Sequence, residues 1–244
     1  MPKLLFIVFT FLMIPASAVE EADRAFYAMD YPLAIRMYET HLNQKNDSEA
    51  YWKLARAYLC SGDISAGVER EVFYRKALTA VESSIQLDRN NSQAYAWFAA
   101  CLGSVVIFEG SESKIKACYR IKAALDTALM LDPTNDVAWS VLGSYYKALG
   151  GINWFERQLA NLFLGGLPEG GYEDAEKALL TAVSLAPDVL RHRFELGVLY
   201  YDWDKKDKTQ ECFEYAMTLK PAMASDNRRI SKMKEFMEKH NLPR

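Results

Sequence analysis

Apolar residues recur at intervals of three and four positions along most of the chain after residue 18. This spacing places them on one face of an α-helix, whereas a half-buried β-strand would alternate at every second position. Only twelve glycines and eight prolines are spread over the 244 residues, so few positions favour a break in a helix. The pattern therefore predicts an all-α protein.

The helical pattern repeats itself along the chain. Trp139, Leu142, Gly143 and Tyr146 have the spacing that is typical of the first helix of a tetratricopeptide unit. The same slots recur at Tyr51, Leu54, Ala55 and Tyr58, at Tyr95, Phe98, Ala99 and Leu102, and at Arg193, Leu196, Gly197 and Tyr200. A small residue in the third slot lets the two helices of a unit approach closely.

Each hairpin of two helices would leave an apolar face that only the next hairpin covers, so several copies must stack. We therefore predict a tetratricopeptide-like α-solenoid of about five helical hairpins, with an inserted short helix in the fourth and a C-terminal capping helix. Ser48 and Ser92 stand where the first helices of two units need N-caps. The predicted single domain covers 19–244, with units at about 19–46, 48–89, 92–133, 136–187 and 190–221 and the cap at 224–240.

Three of the units exceed the usual 34 residues. The second and third carry about ten extra residues each, which predicts longer helices. The fourth carries about twenty, at residues 150–172, and this insertion has an apolar stretch with Trp154, Phe155 and Leu159. Such a segment does not lie free in water. It either packs on its own repeat as extra core or closes over the groove of the solenoid as the wall of a pocket.

Several short motifs resemble those of a known family. They are Trp97-Phe98-Ala99, Asp132-Pro133-x-Asn135, Leu142-Gly143-x-Tyr145, Trp154-Phe155-Glu156-Arg157 and Tyr172-Glu173-x-Ala175. In this order they resemble the tetratricopeptide domain of the regulator of microtubule dynamics family, over roughly residues 95–219. The resemblance implies a helical-repeat fold. It also implies either an association with microtubules or, as in a mitochondrial tyrosine-phosphatase-interacting member, phospholipid binding in the repeat domain.

The first eighteen residues have the composition of a secretory signal. Lys3 is their only charge, an apolar run follows over residues 4–14, and Ala16-Ser17-Ala18 has the small-x-small pattern of a cleavage site. We predict a cleavable signal peptide at 1–18 and an exported protein, periplasmic or secreted, that is soluble after cleavage. An uncleaved membrane anchor is the alternative. An exported protein would not meet tubulin, so this prediction sets the microtubule role aside.

Export would place the four cysteines in an oxidising compartment. Cys101 and Cys118 lie at equal sequence distances from a predicted turn near Gly110, and hence at the same height in their hairpin. A disulfide between them is one interpretation, and two free thiols in the core are the other.

The groove of a tetratricopeptide array is lined by the residue after the first slot and by those four and seven positions later. Small residues fill its middle and bulky apolar ones its ends, a profile that suits an extended peptide or an acyl chain. Arg56, Lys147 and nearby Arg191 are candidates to pair with a phosphate or carboxylate. The predicted groove comprises Trp52, Arg56, Leu59, Ala96, Ala100, Ser140, Ser144, Lys147, Arg191, Phe194, Val198 and Tyr201.

Other function classes find little support. The net charge of −3 gives no electrostatic reason to bind nucleic acid. The three histidines are scattered without a metal-binding spacing, and no phosphate-binding glycine loop or nucleophile elbow occurs, so we predict no enzyme, no metal and no cofactor. The leading hypothesis is an exported, non-catalytic scaffold that binds a protein or peptide partner in its groove. The alternative is a carrier of phospholipid or another apolar ligand, with 150–172 as a pocket wall.

Overall fold

The computed structural model describes residues 17–163 and 165–239, and within them it contains twelve α-helices, one short 3-10 turn and no strand. The first six helices are α1 (Ala18–Tyr27), α2 (Tyr31–Leu42), α3 (Ser48–Ile64), α4 (Gly67–Leu87), α5 (Ser92–Val105) and α6 (Ser111–Leu131). The others are α7 (Asp136–Gly150), α8 (Trp154–Phe163), α9 (Tyr172–Leu185), α10 (Leu190–Asp202), α11 (Lys206–Thr218) and α12 (Ala224–Lys239).

The helices pair into five hairpins that stack in chain order. The pairs are α1 with α2, α3 with α4, α5 with α6, α7 with α9, and α10 with α11. The first helices of successive hairpins also pack on one another, α3 on α5, α5 on α7 and α7 on α10, and they form the inner face of the stack. The predicted all-α solenoid is confirmed.

The repeated slots lie at equivalent depths in these hairpins. Leu54, Leu142 and Leu196 are all buried, as the repeat requires. The third slot is small because the two helices of a hairpin approach closely there, as predicted. A Cβ atom at Gly143 would lie 2.4 Å from Cγ of Leu179, so only glycine allows this approach of the paired helices.

The caps of two first helices differ by one residue from the prediction. Asp47, not Ser48, is the N-cap of α3, and Asn91, not Ser92, is the N-cap of α5. Their side-chain oxygens accept hydrogen bonds from the backbone N–H groups of the first turn, as N-caps do.

The two serines instead join the two helices of their own hairpin. The hydroxyl of Ser48 donates to the carbonyl of Ser84 at 3.1 Å, and that of Ser92 donates to the carbonyl of Ala128 at 2.9 Å. Each carbonyl lies near the C-terminus of the second helix and also accepts the backbone N–H of the C-cap residue, Asp88 or Asp132, so each serine adds a bond that holds the two helices together.

The longer hairpins arise where the insertions predicted them. Helices α4 and α6 have 21 residues each, against 13 in each of α10 and α11. At 1.5 Å per residue the difference is about 12 Å. In the fourth hairpin the insertion forms the short helix α8, held in part by the guanidinium of Arg157, which donates to the carbonyls of Leu149 at 2.9 Å and Pro168 at 3.4 Å.

Helix α12 covers the last hairpin, which confirms the predicted cap. Met233 and Met237 are buried against Leu190, Phe213 and Ala216. The helix also packs against α3 of the second hairpin, a contact that the sequence did not indicate. The helix therefore crosses the inner face of the solenoid.

A candidate groove on the inner face

The crossing of α12 encloses a cavity of about 450 Å³ on the inner face. Its walls come from α3, α5, α6, α7, α10 and α12. Five of the predicted groove residues line it, namely Leu59, Ala100, Ser140, Ser144 and Arg191. The cavity exists at this point because α5 and α7 present small side chains there, while bulkier residues stand around them.

Four further predicted groove residues line a second cavity of about 370 Å³ beside the first. They are Lys147, Phe194, Val198 and Tyr201, and the ring of Phe236 from α12 closes the opposite side. The shared lining residue Glu195 joins the two cavities.

Trp52, Arg56 and Ala96 line neither of these cavities. Arg56 was predicted to pair with a ligand anion, but α1 supplies its partners. Its guanidinium lies 3.5 Å from the carboxylate of Asp23 and stacks over Phe26 at 3.8 Å from the ring centroid. This arginine is almost fully buried and helps to hold α1 on α3.

The predicted insertion wall is described only in part. Trp154, Phe155 and Leu159 lie in α8, but their side chains fall outside the described residues. Of the described insertion residues, Ile152 lines the larger cavity. Opposite the small side chains of α5 and α7, Arg229 of α12 contributes to the lining.

Three charged lining residues escaped the sequence analysis: Asp63, Glu195 and Arg229. Asp63 lies four positions after Leu59, so extending the groove spacing by one helical turn would have found it. Glu195 directly follows the predicted Phe194. No signal in the sequence indicated Arg229, because its place depends on the path of α12 across the inner face.

The mouth of the groove is basic. A third cavity of about 220 Å³ adjoins the first and is lined by Arg70, Arg228 and Lys232 together with Asp63, Glu195 and Arg229. The guanidinium of Arg70 donates to the carbonyl of Ser65, and that of Arg228 donates to the carbonyl of Asp63 at 3.4 Å. Neither bond neutralises the charge of its arginine.

Some of the charges in the groove have counterions. Lys147 lies 3.6 Å from Glu195, which also accepts a hydrogen bond from the hydroxyl of Ser144 at 3.4 Å. The guanidinium of Arg229 donates to the carboxylate of Asp226 at 2.9 Å. These contacts link α7 with α10 and fix the first turn of α12.

Asp63 and Arg191 are held in unfavourable surroundings. Burial raises the pKa of Asp63, although Tyr74 donates a hydrogen bond to it at 2.9 Å and Arg229 lies nearby. Burial, followed by repulsion from Arg229, lowers the pKa of Arg191. Both shifts show that the groove penalises charge that is not paired.

A buried histidine lies next to Arg191 in α10. Nε2 of His192 lies 2.8 Å from the carboxylate of Asp136 at the start of α7, and the histidine side chain is fully buried. Burial lowers the pKa of His192 and, with Asp136 as acceptor, favours the neutral ring with its proton on Nε2. This pair joins the fourth hairpin to the fifth.

The four cysteines are free thiols in the structure, and all of them lie in the described part of the chain. The interpretation of Cys101 and Cys118 as a disulfide is therefore replaced by that of two separate thiols. Cys101 is fully buried, while Cys118 is half-buried and lines the larger cavity.

Two features are absent from the described residues. None of the described helices is long and apolar enough to cross a lipid bilayer. Across residues 17–163 and 165–239, no group of three His, Cys, Asp or Glu side chains is arranged to hold a metal ion.

The chain is similar to mammalian proteins over most of its length. Regulator of microtubule dynamics protein 2 of Bos taurus is 25% identical over 190 residues, which are 77% of this chain and 46% of the relative. Regulator of microtubule dynamics protein 1 of Mus musculus is 26% identical over 166 residues, which are 67% of this chain and 54% of the relative. The chain spans about half the length of these relatives.

The fold is also shared with a solved bacterial structure. TTC0263, a thermophilic tetratricopeptide protein of Thermus thermophilus, superposes with a TM-score of 0.67 at 18% identity. The match covers 89% of this chain and 96% of that one. At this identity the likeness concerns the fold alone.

These relatives overturn the predicted location. The matched mammalian proteins are named for microtubule dynamics, and microtubules are neither periplasmic nor secreted. The prediction of an exported, periplasmic or secreted protein is therefore wrong, and the signal-peptide interpretation of 1–18 conflicts with the same relatives. Residues 1–16 lie outside the described part, but Ser17 caps α1 in a capping box with Glu20, so cleavage after Ala18 would cut the first turn.

The family assignment rests on nearly the whole chain. The sequence model described as Regulator of microtubule dynamics protein 1-3 matches residues 18–241, well beyond the 95–219 over which the motifs indicated a resemblance. The helical hairpins, their repeated slots and the inserted helix α8 all lie within the matched region. The chain belongs to the Regulator of microtubule dynamics protein 1-3 family.

Proposed function

We propose that this chain is a non-catalytic scaffold whose inner-face groove binds a protein or peptide partner. The observation that carries the proposal is the 450 Å³ cavity enclosed between the small side chains of α5 and α7 and the crossing helix α12. A cavity of this size is within the range that accepts a ligand, and its mostly apolar wall contains a small set of charged side chains that can orient one. A partner side chain inserted there would be surrounded by five repeat helices.

The names of the relatives support a regulatory rather than a chemical role. Predicted export is the only reason against a microtubule-related role, and that reason no longer holds. We accordingly propose that the partner of the groove takes part in the regulation of microtubules. The chain covers about half of the relatives, so this role is proposed for the groove alone.

Filling the cavity tests the proposal. A Cβ atom at Gly103 would have Ile121 as its nearest neighbour at 4.0 Å, so Gly103→Leu adds an isobutyl group to the cavity. Ala123→Leu is a matched control, because it adds apolar bulk at an exposed position of α6 in a separate cavity, which Ala123 lines with Glu82 and Arg120. Both variants should fold.

We expect proteins crosslinked to the wild type in cells to be crosslinked equally to Ala123→Leu and to be lost with Gly103→Leu. Equal crosslinking of the same proteins by all three forms, with circular dichroism showing them folded, would contradict partner binding in the groove.

An apolar ligand is the second candidate. It is favoured by the walls of the larger cavity, which include Leu59, Ile121, Val141, Leu149 and Ile152. Native mass spectrometry of protein purified without detergent would then show a bound mass that is absent from Gly103→Leu. An empty wild-type protein would count against this candidate without affecting partner binding.

A further inference from the structure

Arg191 lies in the wall of the larger cavity, and its guanidinium forms no ion pair with a described residue, although the carboxylates of Asp136 and Glu195 are close enough to act on its charge. Its Nε atom is shielded from solvent and has no hydrogen-bond partner. Its charge does lie near the ring of Trp97, whose centroid is 5.9 Å away. Leaving a guanidinium unpaired in such a place is costly, so an anion that entered the cavity would relieve this cost.

Arg229 completes the site from the opposite side. It lines the same cavity from α12, whereas Arg191 lines it from α10, and its charge is close enough to lower the pKa of Arg191. Two guanidinium groups that repel each other across a cavity attract an anion placed between them. A carboxylate fits a guanidinium through two parallel hydrogen bonds.

The charges around the groove favour an anion further. The cations lining its three cavities are Arg70, Lys147, Arg191, Arg228, Arg229 and Lys232. Against them stand Asp63, Glu195 and the partner of Arg229, Asp226. The groove therefore has an excess of positive charge although the whole chain carries a net charge of −3. This local field would steer an acidic partner to the mouth of the groove.

We infer that the partner contributes an acidic peptide segment, with one carboxylate seated between Arg191 and Arg229. This inference rests on the proposed function and names the chemistry of the partner. Arg228 and Lys232, which are exposed at the mouth, pair with further carboxylates of the segment. Asp63 and Glu195 beside them accept hydrogen bonds from backbone N–H groups, which distinguishes a peptide from a simple anion.

The inference is tested with two labelled decapeptides. In the first, glutamate alternates with glycine, and in the second, glutamine replaces every glutamate. Fluorescence anisotropy in about 20 mM salt should show that the wild type binds the glutamate peptide at least about tenfold more tightly than the glutamine peptide. Raising the salt to about 200 mM should weaken the binding, because salt screens the contacts of the peptide with the exposed cations Arg228 and Lys232 at the mouth of the groove.

Variants of single cations locate the site. Arg191→Gln should weaken binding of the glutamate peptide about tenfold, whereas Arg191→Lys should retain most of it. Arg193→Gln is the matched control on the same helix, since Arg193 lies over the ring of Tyr215 and lines none of the three cavities. Lys232→Gln and its control Lys234→Gln, both at exposed positions of α12, repeat the comparison where folding is not at risk.

Equal affinity for the two peptides, or equal effects of Arg191→Gln and Arg193→Gln, would overturn the inference. Binding to vesicles of phosphatidylcholine with phosphatidylserine that depends on Arg191, without binding of the glutamate peptide, would overturn it in favour of an anionic lipid surface. Partner crosslinking that is lost with Gly103→Leu but kept with Arg191→Gln would leave the proposed function intact and refute only the acidic chemistry. Crosslinking insensitive to Gly103→Leu would refute the proposed function itself.

Discussion

The phenol oxygen of Tyr31 accepts a hydrogen bond from the backbone N–H of Ala224 at 2.8 Å. Tyr31 opens the second helix, and Ala224 opens the last, 193 residues later in the chain. Next to this bond, Sγ of Cys60 in α3 lies 3.9 Å from Sδ of Met223. These contacts join the two ends of the solenoid and turn its open inner face into an enclosed groove.

Removing the hydroxyl of Tyr31 should loosen this junction. Tyr31 is fully buried, so Tyr31→Phe leaves the N–H of Ala224 without its partner and should cost about 0.5–1.5 kcal/mol in the free energy of unfolding. Hydrogen exchange followed by mass spectrometry should show faster exchange in the peptide that contains Ala224. Tyr215→Phe, at an exposed position on α11, should leave that peptide unchanged. An unaltered rate in Tyr31→Phe would show that other contacts suffice to hold α12.

Glycine in the small slot should be required in the fourth and fifth hairpins. A Cβ atom at Gly197 would lie 2.4 Å from Cε1 of Phe213, and one at Gly143 equally close to Leu179. Gly197→Ala and Gly143→Ala should each lower the free energy of unfolding in urea by about 1–3 kcal/mol through overpacking.

Gly103 is the internal control for this prediction. It also lies within a helix, but the space beside it is open, so Gly103→Ala should stabilise the protein by about 0.5–1 kcal/mol through helix propensity. Destabilisation by Gly103→Ala of the same size as by Gly197→Ala would mean that the cavity does not exist in solution.

Acidification should destabilise the protein in part through His192. Burial lowers the pKa of His192 in the folded state, so below the ordinary value of about 6.5 the unfolded chain binds a proton that the folded chain does not. Stability is therefore fully present above this pH and falls as the pH decreases, by up to about 1.4 kcal/mol per pH unit from this group. Asp136 has a lowered pKa despite its burial, because His192 donates to it, and its contribution is lost only at more acid pH.

The contribution of His192 is isolated by comparing the wild type with His192→Gln in urea at about pH 7.5 and about pH 5.5. The difference in stability between the two proteins should shrink at the lower pH, since glutamine does not titrate. Parallel changes in both proteins would assign the acid sensitivity to other groups.

The thiols should react slowly in the folded protein. Burial raises the pKa of Cys60 to about 12 and that of Cys212 to about 11, and it also raises the pKa values of Cys101 and Cys118. Little thiolate is present near neutral pH, and thiolate is the reactive form. In the folded protein, iodoacetamide should label Cys118 first, because it is the least buried of the four cysteines. In urea without reductant, it should label all four. Persistent protection of Cys101 and Cys118 in urea would instead demonstrate a disulfide.

The repeat determined the fold from sequence alone. Slots such as Leu142 and Leu196 stand in the same spacing to the other slots of their own unit, and a helix brings residues three and four positions apart onto one face. The packing of one hairpin on the next depends only on these local faces, so the number of hairpins, the inserted helix and the cap all followed from the pattern. Small residues at Ala100, Ser140 and Ser144 likewise indicated the hollow of the groove.

The tertiary structure alone decided which charges face that hollow. The sequence makes both Arg56 and Arg191 candidates to pair with a ligand anion, but α1 supplies Asp23 to the first at 3.5 Å, whereas Asp136 and Glu195 act on the second without forming an ion pair with it. The place of Arg229 depends on how α12 turns back across the inner face, which joins residues more than 160 positions apart. Such contacts leave no periodic trace, because they arise from the accumulated curvature of the whole stack and not from the spacing within any one helix.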